Sequence, residues 1–169
     1  MKKLLVLFCV CLLILQCGYH LRGVGGFLPS HIKKISIPMF ENLTTRFELD
    51  LTLTQSVIDE MVARSDVEVT GDTQSADAVL VGELSSFNVN PIAFSGEATA
   101  DRYNITIVAD IKLRDLVYNK IIFSNPKFVY KTEYEVSQGT DFETVETEAI
   151  QEISQKFARS LVMTMLEGF

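Results

Sequence analysis

From Tyr103 to Arg114 the chain alternates without a break. Tyr103, Ile105, Ile107, Ala109, Ile111 and Leu113 are apolar, and of the residues between them, Asn104, Thr106, Val108, Asp110, Lys112 and Arg114, only Val108 is not polar. Successive side chains of a strand point to opposite faces of its sheet, so a period of two predicts a strand with one dry and one wet face. At ~3.3 Å per residue such a segment is about 40 Å long. It needs long neighbours to pair with and an apolar layer over its dry face, which restricts the chain to folds built on a sheet.

The neighbours are legible on either side. Ala78 to Val89 reads as a strand that is apolar on both faces at first (Ala78, Val79, Leu80, Val81) and alternating later. Its inner end is therefore expected to be covered twice. Asn90 to Ala100, with Pro91, Gly96 and several small residues, reads as a loop. Asp115 to Lys120 makes the next reversal, and Ile121 to Val136 returns as a strand with Phe128, Tyr130, Thr132 and Tyr134 on one side and Val129, Lys131, Glu133 and Glu135 on the other. Asn125-Pro126 interrupts it, which predicts a bulge or an edge because proline has no N–H for the ladder. Ile32 to Met39 and Val67 to Val69 are further, shorter strands.

Two segments have helical periods. Glu48 to Thr54 alternates as a strand would, yet Phe47, Leu51, Ile58, Met61 and Val62, with Val57 beside them, fit one helical face, and no turn residue interrupts the run to Ala63. Length favours a helix over 46–64. Thr140 and Glu143 have capping-box spacing, and the helix they open carries Phe142, Val145, Ala149, Ile153, Phe157, Leu161 and Met165 in one stripe, with Ile150, Ala158, Val162 and Leu166 alongside. The expected fold is α+β, with two helices packed on one face of a mixed, mostly antiparallel sheet of about four strands.

Ahead of this domain lies an export signal. Met1-Lys2-Lys3 is basic, and Leu4 to Leu15 is uninterruptedly apolar. As a helix that run reaches about 18 Å, against the ~30 Å of a hydrocarbon core, so it reads as a signal segment rather than a membrane span. Cys9 and Cys11 lie inside it, and the remaining cysteine, Cys17, stands at its end. No disulfide framework follows from one cysteine. Ile14-Leu15-Gln16-Cys17 resembles a lipoprotein processing box, with Gln16 bulkier than the small residue usual there. Residues 1–16 are thus expected to be a lipoprotein signal peptide, 17–30 a lipidated N-terminus and Gly-rich linker, and 31–169 one domain. Several acyl chains on Cys17 would hold the chain at a membrane, at ~0.8 kcal/mol per buried methylene. Gly18 after the cysteine resembles lipoproteins exported to the outer membrane.

Without residues 1–16, 13 basic residues face 22 acidic ones, a net charge of −9. That balance disfavours nucleic acid as a partner. Cys17-Gly18-Tyr19-His20-Leu21-Arg22-Gly23 resembles the mature start of the lipopolysaccharide-assembly lipoproteins (LptE), which open Cys-Gly-aromatic-His-Leu-Arg. Thr99-Ala100-Asp101-Arg102-Tyr103, Asn125-Pro126 and Tyr134-Glu135-Val136 are similar to internal pieces of that family, as is the order of elements. The resemblance implies a non-enzymatic protein that sits in the lumen of the outer-membrane translocon barrel LptD, helps it assemble, plugs it, and contacts lipopolysaccharide on its way to the cell surface. The competing expectation is a stand-alone, periplasm-facing lipoprotein module that binds another envelope partner.

The residue inventory offers little chemistry beyond this. His20 and His31 are the two histidines, and no His, Cys and carboxylate spacing suggests a metal site. Phosphate-loop glycines and a nucleophile elbow are missing. Glu83 and Asp110 would be a carboxylate pair if their strands lie side by side. No cofactor is expected besides the covalent lipid on Cys17. Toward lipopolysaccharide, whose lipid A phosphates are dense negative charges, the candidates are Arg102, beside the 90–100 loop, and Lys127 and Lys131 on the next strand.

Overall fold

The computed structural model describes residues 28–94, 100–136 and 142–167, apart from the side chains of Asp101 and residues 142–145. In chain order the elements are β1 (Lys34–Ser36), β2 (Glu41–Asn42), α1 (Leu49–Arg64), β3 (Glu68–Thr70), β4 (Ala78–Phe94), β5 (Ala100–Asp115), β6 (Lys120–Glu135) and α2 (Phe142–Glu167). Cys17 and the cap at Thr140 fall outside the described residues.

The fold is α+β, as expected. Among the described residues the sheet has six strands rather than about four, in the order β3-β1-β4-β5-β6, with β2 also lying along β4. β2 is two residues long, too short for any periodic signal. The β1, β2 and β3 pairings are parallel, while β4, β5 and β6 form an antiparallel meander. Ile105, Ile107, Ala109, Ile111 and Leu113 of β5 are completely or almost completely buried, and they supply the centre of the core. Phe128 and Tyr130 of β6 meet Phe157 of α2 edge-on, with ring centroids 5.3 and 6.0 Å apart. The α2 stripe of Ala149, Ile153, Phe157, Leu161 and Met165 is buried as its spacing predicted.

Three expectations need correction. First, the 90–100 loop is shorter: β4 continues through Pro91 to Phe94, and β5 begins at Ala100. Register shifts after Pro91 and Ala93 take up the proline, and beyond Leu84 the described part of β4 pairs with β5 alone, an edge position that tolerates a missing N–H. Second, α1 begins at Leu49, not 46. Asn42 accepts from the N–H and hydroxyl of Thr44 and donates to the Arg46 carbonyl, holding that stretch as a turn, and Glu48 then enters the helix with a left-handed φ of 57°.

Third, α1 is rotated relative to the face its sequence suggested. Val57 and Met61 are buried, but with Leu49 and Leu53, whereas Phe47 is 83% exposed and Leu51 and Val62 are at least half exposed. Leucine at 49, 51 and 53 made two stripes compete. The ridge at four-residue spacing wins, and the Phe40 N–H bonded to Thr54 Oγ1 at 3.0 Å fixes that side inward.

The Asn125-Pro126 break is a bulge, in which Pro126 and Lys127 on β6 lie against the single residue Asp110 on β5.

Candidate functional site

With both helices on the inner face, the even-numbered positions of β5 form the centre of a long outer face. Arg102, Asn104, Thr106, Val108, Asp110, Lys112 and Arg114 follow one another there, half-buried or exposed. Their cross-strand neighbours include Asn88, Asn90 and Ser86 on β4 and Val129, Lys131, Glu133 and Glu135 on β6. The face is mostly polar, with scattered aliphatic side chains: Val81, Ile121 and Val129 are each more than a third exposed.

The three candidate cations lie toward one side of this face, Arg102 on β5 and Lys127 and Lys131 on the neighbouring β6. Arg102 stands directly opposite Glu135, its Nη2 3.0 Å from Glu135 Oε1 and its Nη1 3.8 Å from Glu133 Oε2. It is therefore a largely compensated charge, paired across strands in the way that stabilises a sheet. Lys131 lies opposite Thr106, about 13 Å along the strands from Arg102, since four residues separate their levels. Lys127 is exposed beside the bulge, where its N–H donates to Asn125 Oδ1 at 3.2 Å. Neither lysine has an ion pair among the described residues.

The sequence reading left out two cations of the same face. Lys112 pairs with Asp110 at 2.7 Å, and Arg114 is exposed between Val79 and Ile121. The period of two that identified β5 already places them on the face of Arg102. From Arg114 to Arg102 the positive groups thus run nearly the whole length of β5.

The register does set Glu83 opposite Asp110, with Glu41 opposite Glu83 on β2. Asp110 is engaged by Lys112, and no group of three metal-ligating side chains exists among the described residues. No described helix is long and apolar enough to cross a membrane.

Residues 31–34 are held at the far end of β5 from Arg102. His31 Nε2 lies 2.7 Å from Asp115 Oδ2, and the His31 ring meets Tyr118 edge-on at 4.7 Å. Asp115 Oδ1 accepts the N–H groups of Val117 and Tyr118. Burial by itself would raise the Asp115 pKa, but the Tyr118 N–H, His31 and the Val117 N–H outweigh it and leave the carboxyl below its ordinary value. Asp77 is lowered too, because the N–H groups of Lys33 and Lys34 both donate to it. These contacts fasten residues 31–34 to the base of β4 and β5.

The family model for lipopolysaccharide assembly, LptE, matches residues 32–165. The chain belongs to the LptE family. Members are lipopolysaccharide-assembly lipoproteins without an enzymatic role, and the match runs from just before the first strand to the last turn of α2. No curated protein matches the chain. Among solved structures, a hypothetical protein of Chlamydia trachomatis superposes with a TM-score of 0.53 at 9% identity, covering 78% of this chain and 94% of that one. A protein of Xanthomonas campestris gives 0.53 at 11% identity, covering 82% and 88%. A minor lipoprotein of Acinetobacter baumannii gives 0.49 at 12% identity, covering 80% and 94%. At such identities the first two establish that the LptE chain shares their fold and nothing more.

Proposed function

We propose that this LptE chain is an outer-membrane lipoprotein, acylated at Cys17, that assembles with and plugs the translocon barrel LptD and contacts lipopolysaccharide during its insertion into the outer leaflet. The observation that carries the reading is the family match across residues 32–165. Two features support it. A wet barrel lumen requires an insert with a small dry core and a polar exterior, which suits the outer face of β4, β5 and β6. Residues 31–34 are fastened at the base, beside Asp115, so a chain leading back toward a lipid at Cys17 would leave the domain there, with β5 extending about 50 Å to the other end. Lipopolysaccharide moving along that axis would pass Arg114, Lys127, Lys131 and Arg102 in turn.

The test is affinity purification of the C-terminally tagged full-length chain from detergent-solubilised outer membranes, with mass spectrometry of the co-purified chains and of the mature N-terminus. A barrel at one-to-one ratio and an acylated Cys17 are expected. An acylated chain recovered alone would favour the stand-alone envelope module, and an unmodified N-terminus would remove the lipid anchor from the reading.

A further inference from the structure

The helical face carrying Phe47, Leu51, Ile58 and Val62 is the one the fold leaves outside. Phe47 is 83% exposed, Val62 58% and Leu51 50%, with Ile58 half-buried between the last two. At the N-terminal end of α1 the stripe widens, because Met39, also 58% exposed, joins Phe47 and Leu51 in lining one surface pocket of about 400 Å³. From Leu51 the stripe runs about 16 Å along the helix to Val62. Single exposed apolar side chains are ordinary, whereas a group of them around one concavity marks a contact surface.

The turn ahead of α1 holds this arrangement. Asn42 fastens Thr44 and Arg46, and Glu48 takes a left-handed φ of 57°, which a residue with a Cβ adopts only where its surroundings impose it. Rolling the stripe inward would also break the buried bond from the Phe40 N–H to Thr54 Oγ1.

The charges around the pocket specify what fits it. Arg46 lines it but is already paired with Glu146, whereas Glu48 and Asp50, which line it too, have no ion pair among the described residues. Two free carboxylates repel lipid A phosphates and attract Lys or Arg. The occupant is therefore a polypeptide segment with a bulky apolar side chain beside a basic one. The inner wall of a barrel is polar, so such a side chain has to come from a segment that projects into the lumen.

We propose that the pocket of Met39, Phe47 and Leu51 docks one such basic and apolar segment of the barrel partner, with its apolar side chain against Phe47 and Leu51 and its Lys or Arg against Glu48 and Asp50. This docking rests on the barrel reading above and engages one copy of each chain, as that reading requires.

The experiment places the photo-crosslinking residue benzoylphenylalanine at position 47, and in a second chain at position 51, of the full-length tagged protein. Each is irradiated in outer membranes and purified in detergent, and the adducts are mapped by mass spectrometry. Both positions are expected to give an adduct with the barrel, in a segment where Lys or Arg stands within a few residues of a bulky apolar side chain. Reversing the rim charges with Glu48→Lys and Asp50→Lys should lower the adduct yield at position 47 at least about threefold, since like charges then face each other. Circular dichroism checks that this variant is folded. A barrel recovered one-to-one with no adduct at either position would overturn the docking and leave the proposed function standing. So would adducts with lipopolysaccharide, or a yield that charge reversal leaves unchanged. A wild-type chain that brings down no barrel would overturn the proposed function, and the docking with it.

Discussion

Gly82 lies in β4 opposite Ile111, in a run that otherwise carries side chains, because the Phe40 ring occupies the space where its own would be. A Cβ built there would come within 2.7 Å of the ring, closer than packed carbons approach. Gly82→Val is therefore expected to destabilise the domain by about 1–3 kcal/mol through overpacking, read from urea unfolding, and Phe40→Leu in the same chain should recover part of the loss. If Gly82→Val left stability unchanged, Phe40 would not be seated on that strand. A lone glycine in a strand pattern announces a close approach, but the identity of the ring is fixed by tertiary structure that no local pattern contains. Arg102 illustrates the same limit. Its place at the start of β5 was readable, whereas its neutralisation by Glu133 and Glu135 depends on a register that the bulge at Asn125 shifts.

Among the elements, β5 and α2 were legible because each carries one uncontested period, whereas α1 was legible as a helix but not in its rotation. Its sequence holds two overlapping stripes, and what selects between them is the Thr54 bond to Phe40 and the left-handed entry at Glu48, both set from outside the helix. The two faces make opposite predictions. Leu53→Ala, at a fully buried position, is expected to cost about 2–5 kcal/mol. Phe47→Ser and Leu51→Ser are expected to stay within about 0.5 kcal/mol of wild type, since both side chains are at least half exposed. Equilibrium denaturation of the three variants checks this, and a large loss at Phe47 would mean that the helix is turned the other way. The 90–100 loop failed for a related reason. Proline and small residues signal a break only where a ladder partner is missing its donor, and the upper part of β4 is not flanked on that side by another described strand.

For the whole molecule, the polarity of the sheet decides what the site can do, and that polarity is set at its base. Asp77 and Asp115 are held below their ordinary pKa, so the stability they contribute is fully present above the unfolded carboxyl value of about 3.9 and is lost as pH falls through the folded value. Urea midpoints should decline below about pH 4, and Asp115→Asn, which still accepts the Val117 and Tyr118 amides, should show a shallower decline than wild type. Equal slopes would separate the base contacts from acid sensitivity. With residues 31–34 fixed there, the outer face presents its cations at increasing distance from that base, and they differ in how much charge remains free. Lys127 and Lys131 have no carboxylate against them among the described residues, while Arg102 is shared between two. A phosphate binding this margin therefore gains most from the lysines, because it need not displace an existing ion pair, and a charge-assisted contact contributes ~1.5–3 kcal/mol. Lys127→Glu and Lys131→Glu are each expected to weaken lipopolysaccharide binding by about tenfold in titrations of the purified protein, at unchanged melting temperature. Arg102→Glu should weaken it less per charge reversed, despite the better geometry of guanidinium, because its carboxylate partners already hold it. Binding that survives all three changes would mean that these cations serve only to solvate the face, and would remove this margin from the proposed contact with lipopolysaccharide.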